Sequence, residues 1–422
     1  MEAGAGRSEN GVDIYFMVQL RLDGIDFSKY LIAYRQPVLD AMEWMVANAA
    51  QAVQFKFVDA RGLVRGVTAF ASPADVSFYL GKILDFIKKC DSPLTVGEFL
   101  ELIRVDQAAR MTVGWKKLQD VRPKTRYPGD MVACRNFLRL VFSFEAFAAG
   151  VKLVWNPSST TLGCVRALPT EKWGAVEFLK EVFRVNKLSY CPYCNADMVY
   201  AVDAIEDSEK HLRTDIDHFF PRFKYPYLAL SPNNLVPSCA RCNQRLKRDI
   251  DVVNHDRLRR RHKTYQDNLD GLRSPKLIYS NPYLDDFNSH VLFAYQDIVP
   301  GLFEGSASPD MLRLKCDASA TDVGDRCGES VVLYRLRTVY ERIFERELRE
   351  LPMRLRLAKT CYATMLSEAI ERWHGTGVDE DSKAWFLMHL QDVLSKEIVE
   401  QGRINDERLG KLRSDIAFQL GI

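Results

Sequence analysis

Two cysteine pairs carry the first chemistry in the chain: Cys191-Pro-Tyr-Cys194 and Cys239-Ala-Arg-Cys242. A C-x-x-C spacing lets two thiolates reach one ion from a tight turn, and two such knuckles complete a tetrahedral sulfur site for Zn2+. Four thiolates leave no open coordination position, so this zinc is expected to staple the fold rather than catalyse. A redox dithiol is the competing reading of either pair alone. The other six cysteines, Cys90, Cys134, Cys164, Cys316, Cys327 and Cys361, are scattered and read as core residues.

Between and beside the knuckles stand residues of another kind. Thr214-Asp-Ile-Asp217-His218-Phe-Phe-Pro221 precedes Asn233-Asn234-Leu235-Val236-Pro237-Ser238, and Asn243-Gln-Arg-Leu-Lys247 follows the second knuckle. The pattern predicts a strand over 215–219 ended by Pro221, a turn over 231–234 and a second short strand at Leu235-Val236. A helix follows from Asn243, with Asn243 and Lys247 four apart on one face. Hydrolysis of a phosphodiester, an anion that repels nucleophiles, needs an activated water and charge neutralisation at the leaving oxygen. His218 suits the general base, because an imidazole with a pKa of about 6.5 is largely neutral near pH 7. Asp217 offers a hard oxygen ligand for Mg2+ or Mn2+, and Asn243 a neutral second one, leaving most of an octahedral shell to water and phosphate. The helix N-terminus favours a phosphate nearby. Neighbours on a flat strand face opposite sides, so Asp217 and His218 serve one site only if the strand twists or ends there.

Taken together, the two C-x-x-C pairs, Asp217-His218-x-x-Pro221, Asn234-Leu235, Asn243 and Lys247 resemble the HNH (ββα-metal) nuclease motif in its zinc-stapled form, from Leu188 to Arg248. The resemblance implies Asp217 and Asn243 as ligands of a catalytic Mg2+ or Mn2+, and His218 as the base. Asn234 would fix the loop that carries His218, and Lys247 would contact phosphate; Asp215 is a further candidate at the metal. Cleavage would leave 5′-phosphate and 3′-hydroxyl ends. Asn281-Pro-Tyr-Leu-Asp285-Asp286 and the stretch 334–342 are similar, more distantly, to segments of nucleases that accompany retrons and Septu-type phage-defence ATPases. That likeness implies double-stranded DNA as substrate, a role in antiviral defence and an ATPase partner. No G-x-x-x-x-G-K-[ST] loop is present, so the ATPase is expected as a separate chain. Two alternatives stay open: a ribonuclease of the same site, acting for example on tRNA, and a zinc-stapled nucleic-acid-binding module without catalysis.

Nine basic residues stand against three acidic ones from Arg241 to Lys263. Arg241, Arg245, Lys247 and Arg248 are the expected nucleic-acid contacts, a solvated helix face being the plain alternative. Arg222, Lys224, Tyr225 and Tyr227 add basic and aromatic groups that could meet backbone or bases. His211, His255, His262 and His290 carry no expected role.

The scaffold for these residues is legible in composition. The 422 residues are 47% hydrophobic and 27% charged, which excludes a mostly disordered chain, a collagen or a disulfide mini-protein. A net charge of +2 excludes a whole-chain polycation, so any polyanion site is local. No apolar leader opens the chain and no stretch of about 18 apolar residues occurs, so a cytoplasmic, reducing setting without a membrane is expected. The expected class is α+β, mainly helical: a small zinc-stapled ββα core between helical regions. Residues 1–11 read as a tail, 12–180 as a mainly helical domain of unknown role, 181–300 as the HNH nuclease domain and 301–422 as a helical region. A strand is predicted over 12–21 and helices over 36–50 and 72–89. A capping box at Thr95–Glu98 opens another helix. Buried helix and strand are predicted across 138–155, a turn at 156–159, and a long helix over 330–370 before a break at Gly375–Gly377.

Overall fold

Apolar residues recurring at helical spacing set the first elements. The computed structural model describes residues 19–90, 93–115, 129–168, 170–202, 212–253, 275–285, 291–295, 312–316, 322–336 and 338–339. Helix α1 (Gln36–Ala47) buries Val38, Leu39, Met42 and Met45, and α2 (Pro73–Lys89) buries Val76, Leu80, Ile83 and Ile87. Helix α3 (Val96–Thr112) opens on the predicted capping box: Glu98 N–H donates to Thr95 Oγ1, and Thr95 N–H donates to the Glu98 carboxylate at 2.6 Å. Next come α4 (Gly129–Val141) and the short α5 (Phe144–Ala148), whose first turn is capped by Ser143.

A four-stranded sheet lies among these helices. It is built from β1 (Lys56–Val58), β2 (Val64–Gly66), β3 (Val151–Asn156) and β4 (Thr161–Arg166), in the order β2-β1-β4-β3. The β1–β4 pair is parallel and the other two are antiparallel. The region expected as mainly helical carries this small sheet among its helices. Two of the strands are three residues long, too short for period-2 alternation to register in a sequence. The turn between β3 and β4 is the predicted one, with Asn156 Oδ1 accepting from the N–H groups of Ser158 and Ser159. Phe55 marks the core: fully buried, it meets the Phe137 ring edge-on at 5.0 Å and stacks on Trp155 at 6.1 Å. Helix α6 (Ala175–Asn186) closes this part and ends at Lys187 in the left-handed region.

Residues Leu20–Leu188 and Val199–Leu284 form one compact unit; the other holds Ser189–Met198 and the described residues from Asp285 onward. In the second unit, Val291–Tyr295 pairs antiparallel with Leu312–Cys316, and helix α7 spans Asp322–Leu333. Arg326 grips the buried Asp285 with two hydrogen bonds, and the Tyr193 ring stacks on Tyr334 at 4.5 Å. The helix predicted from residue 330 thus begins earlier, at Asp322, and is interrupted where Arg335 takes a positive φ of 49°. The predicted strand at 12–21 is described only from residue 19, where the chain is not a strand. The tail 1–11, all of 340–370 and the break at 375–377 lie outside the described residues. Among the described residues, no helix is long and apolar enough to cross a membrane.

Candidate active site and metal centre

The sequence-predicted hairpin is present. Strand β5 (Asp215–His218) pairs antiparallel with β6 (Leu235–Ser238), placing Asp217 opposite Val236 and His218 opposite Leu235. Nearly every residue of the pair is buried, so neither face is simply solvated. Tyr283, from the Asn281-Pro-Tyr-Leu-Asp285 stretch, braces β6 by donating its hydroxyl to the Leu235 carbonyl at 2.7 Å.

Asn234 governs the loop that leaves β5. Fully buried, it accepts from Phe220 N–H at 2.6 Å through Oδ1, and its Nδ2 donates to the carbonyls of Phe220 and Leu228 at 3.1 and 3.0 Å. One amide thus binds three backbone groups of the non-repetitive loop, adding to the bond that the Leu228 carbonyl already takes from Ser231 N–H.

His218 sits at the end of β5 and is 9% exposed. Its Nε2 lies 3.1 Å from the Ala229 carbonyl. A carbonyl only accepts, so Nε2 carries the proton and Nδ1 is left as the basic nitrogen. The Phe144 ring packs edge-on at 4.4 Å, and the Arg222 guanidinium lies 5.3 Å over that ring. Burial, then the positive charge of Arg222, hold the imidazole far below its ordinary basicity, down to about 3. The ring is therefore neutral at any physiological pH.

Asp217 and Lys247 form a buried ion pair. The carboxylate is 2% exposed and the ammonium fully buried; Lys247 Nζ donates to Asp217 Oδ1 at 2.9 Å and to the His218 carbonyl at 2.7 Å. Lys247 was expected to reach for phosphate. It instead ties the helix back to the strand, because its four-carbon stem lies within the hydrophobic layer and its charge is matched there. Asp217 reaches the helix while His218 reaches Ala229 and Phe144, the opposed directions that alternation along a strand gives.

The segment carrying Asn243 is a short helix, Arg241–Lys247, wound wider than an α-helix: Arg248 N–H donates to the Asn243 carbonyl five residues back, at 2.7 Å. Asn243 is half-buried, immediately after Cys242. Asp215 accepts from Gln244 Nε2 at 2.7 Å, a second strand-to-helix tie. Of the arginines expected to meet nucleic acid, Arg245 and Arg248 are exposed and Arg241 half-buried. The rest of the basic run, with His211, His255, His262 and His290, lies outside the described residues.

The ligand atoms of Cys191, Cys194, Cys239 and Cys242 all lie within 4.8 Å of one another, and all four residues are buried. Tetrahedral zinc with bonds of about 2.3 Å sets its sulfurs about 3.8 Å apart, so the cluster fits that ion. The first knuckle closes through hydrogen bonds from Cys194 and Asn195 N–H to the Cys191 carbonyl; in the second, Cys242 N–H points at Cys239 Sγ, 3.4 Å away. Phe144 and Ala229 were not foreseen as neighbours of His218. Only the tertiary fold brings them there, and no motif marks either residue.

No family model matches the chain, and no solved structure matches it. Over 57 residues the chain is 35% identical to a protein of Bacillus thuringiensis described as Septu protein PtuB. That stretch is 14% of this chain and spans about a fifth (21%) of the relative's length.

Proposed function

We propose that the chain is a metal-dependent HNH endonuclease that hydrolyses DNA in antiphage defence, alongside an ATPase on a second chain. The observation that carries the reading is the state of His218: neutral, clamped through Nε2–H to Ala229, with Nδ1 as its acceptor, on a loop held by Asn234. That tautomer leaves Nδ1 free to accept a proton; an imidazole held so far below its ordinary range is a weak base, so the geometry and not the basicity carries the reading. Nδ1 takes the proton of the attacking water, and Asn234 keeps the loop from drifting as it does so. Asp217 and Asn243 would hold Mg2+ or Mn2+, donors of the type a hard divalent cation prefers, which requires Asp217 to exchange Lys247 for the ion and to turn toward the side of the strand that His218 faces; when bound, the ion supplies charge neutralisation at the phosphate. Cleavage then leaves 5′-phosphate and 3′-hydroxyl ends. The partial likeness to a Septu protein supports the defence setting.

The buried Asp217–Lys247 pair favours a second reading, a zinc-stapled module that binds nucleic acid without cutting it, because a lysine already neutralises the carboxylate. One experiment separates the two. Duplex DNA, single-stranded DNA and tRNA are incubated with wild type and His218→Ala, in Mg2+ or Mn2+ and in EDTA. The nuclease reading expects metal-dependent cutting of DNA that falls by about 10²–10⁴-fold in the variant. Equal activity in wild type and variant, or none in either, rejects it; preferential cutting of tRNA moves the substrate to RNA.

A further inference from the structure

A cleft of about 500 Å3 opens beside the His218 neighbourhood, and residues of the first 180 positions make most of its wall. Two lining residues touch His218, Phe144 packing on its ring and the Ala229 carbonyl accepting the hydrogen bond from Nε2–H, and Arg222 lies over Phe144. Whatever fills the cleft therefore adjoins the proposed base. Two more arginines line it from the N-terminal elements, Arg65 on β2 and Arg139 on α4.

These two cations are poorly matched by acids. Arg139 is exposed and makes no ion pair or hydrogen bond with any described residue. The Arg65 side chain is 60% exposed and reaches Asp59 only at 4.0 Å, while Asp59 spends its other oxygen on the N–H groups of Arg61 and Leu63. Glu145, the other acid in the lining, is taken by Arg222 at 2.7 Å. Three arginines stand against two acids in the lining, so in a chain almost neutral overall this concave site keeps one arginine in excess, with Arg65 only loosely held. The guanidinium fork matches a phosphate's paired oxygens, and a cleft wall strengthens the attraction over that at an open surface. Phe144, half-buried, gives the same cleft an aromatic edge.

We infer that this cleft seats the sugar–phosphate backbone of the DNA strand being cut, with Arg65 and Arg139 as phosphate contacts supplied by the N-terminal sheet and helices. The inference rests on the nuclease reading for its substrate, and it gives the N-terminal region a part in binding.

The test is fluorescence anisotropy of a labelled short duplex with the full chain in EDTA, across a range of salt concentrations, with single-stranded DNA and tRNA as further arms. Arg65→Ala, Arg139→Ala and the double variant are compared with wild type and with Arg104→Ala, an exposed arginine outside the cleft; thermal melts verify folding. Loss of two phosphate contacts lowers the slope of log affinity against log salt by about 2 and weakens duplex binding by roughly tenfold near 0.1 M salt. Arg104→Ala changes neither. If wild type cuts DNA while the double variant keeps its affinity and slope, the cleft assignment falls and the nuclease reading stands. Arginine-dependent binding without cutting in Mg2+ leaves the cleft standing and removes the nuclease. Arginine-dependent binding tighter for tRNA than for either DNA overturns the DNA assignment. No binding to any of the three overturns the cleft outright.

Discussion

Phe55 and Lys247 are both fully buried, yet their surroundings have little in common. Phe55 lies among Phe137, Trp155 and the apolar faces of helices, where attraction is short-ranged and non-directional. Lys247 lies on a carboxylate and a carbonyl, where position, charge and direction must all be right. Asn234, holding three backbone groups, and the four clustered cysteines extend the second pattern through the hairpin and knuckles. Around Phe55 the fold is held by burial of area, whereas around Lys247 a few specific polar contacts carry it, in a segment too short for a large core. Tolerance should therefore differ sharply between them, even for substitutions that conserve shape.

The largest effect is expected at the sulfurs. Cys239→Ser removes a thiolate from the cluster, and structural zinc in small domains contributes on the order of 10 kcal/mol. Metal analysis should give about one zinc per wild-type chain and far less in the variant, with new protease cleavage between residues 189 and 253. A variant that keeps both its metal and its protease resistance would show that the cluster is not what holds this region.

Next comes Lys247→Met, which keeps the length of the side chain and deletes its charge. The Asp217 carboxylate then stays buried without its ammonium, and breaking a buried pair from one side costs about 3–5 kcal/mol. Asp217→Asn added to Lys247→Met should recover part of that loss, since it removes the stranded charge. Denaturant melts of the two single variants and the double form a cycle; strictly additive losses would contradict a direct pair. The matched experiment in the other region is Phe55→Leu, also apolar and of similar size. A loss near 1.5 kcal/mol or less is expected, because the surrounding rings can repack. If Phe55→Leu proved as damaging as Lys247→Met, the contrast between the regions would collapse.

The same contrast explains what was legible beforehand. Helices α1 and α2 were readable because burial leaves a periodic stripe, and the start of α3 because the two residues of its capping box are close in sequence. The hairpin, the turn at Asn234 and both knuckles were readable because short-range chemistry fixes residue types at set spacings. The four-stranded sheet was not, since β1 pairs in parallel with β4 across about a hundred residues and its strands are short. Lys247 was misread for a related reason. A lysine four residues after Asn243 looks like a solvated or phosphate-seeking charge, and only the packing of the helix against β5 turns it inward. The winding of that helix, with its five-residue hydrogen bond, has no sequence signature at all.

The smallest effect tests the least specific part of the scaffold. Thr95 and Glu98 cap α3 reciprocally, but the halves are unequal: Glu98 accepts from Thr95 N–H at 2.6 Å, whereas Thr95 Oγ1 is 3.3 Å from Glu98 N–H. Thr95→Ala deletes the longer bond and the hydroxyl's own hydrogen bond to the Glu98 carboxylate at 2.8 Å, and keeps the shorter, since alanine retains its N–H. The loss should fall toward the low end for N-cap replacement, about 0.5–1 kcal/mol. Glu98→Ala removes the shorter bond together with a negative charge favourable to the helix N-terminus, so it should cost at least as much as Thr95→Ala. Raising salt should narrow the gap, because the charge term is screened while the hydroxyl bond is not. Melts of both variants at low and high salt check this; a Thr95→Ala loss larger than that of Phe55→Leu would mean that directional contacts matter as much in the N-terminal helices as in the hairpin.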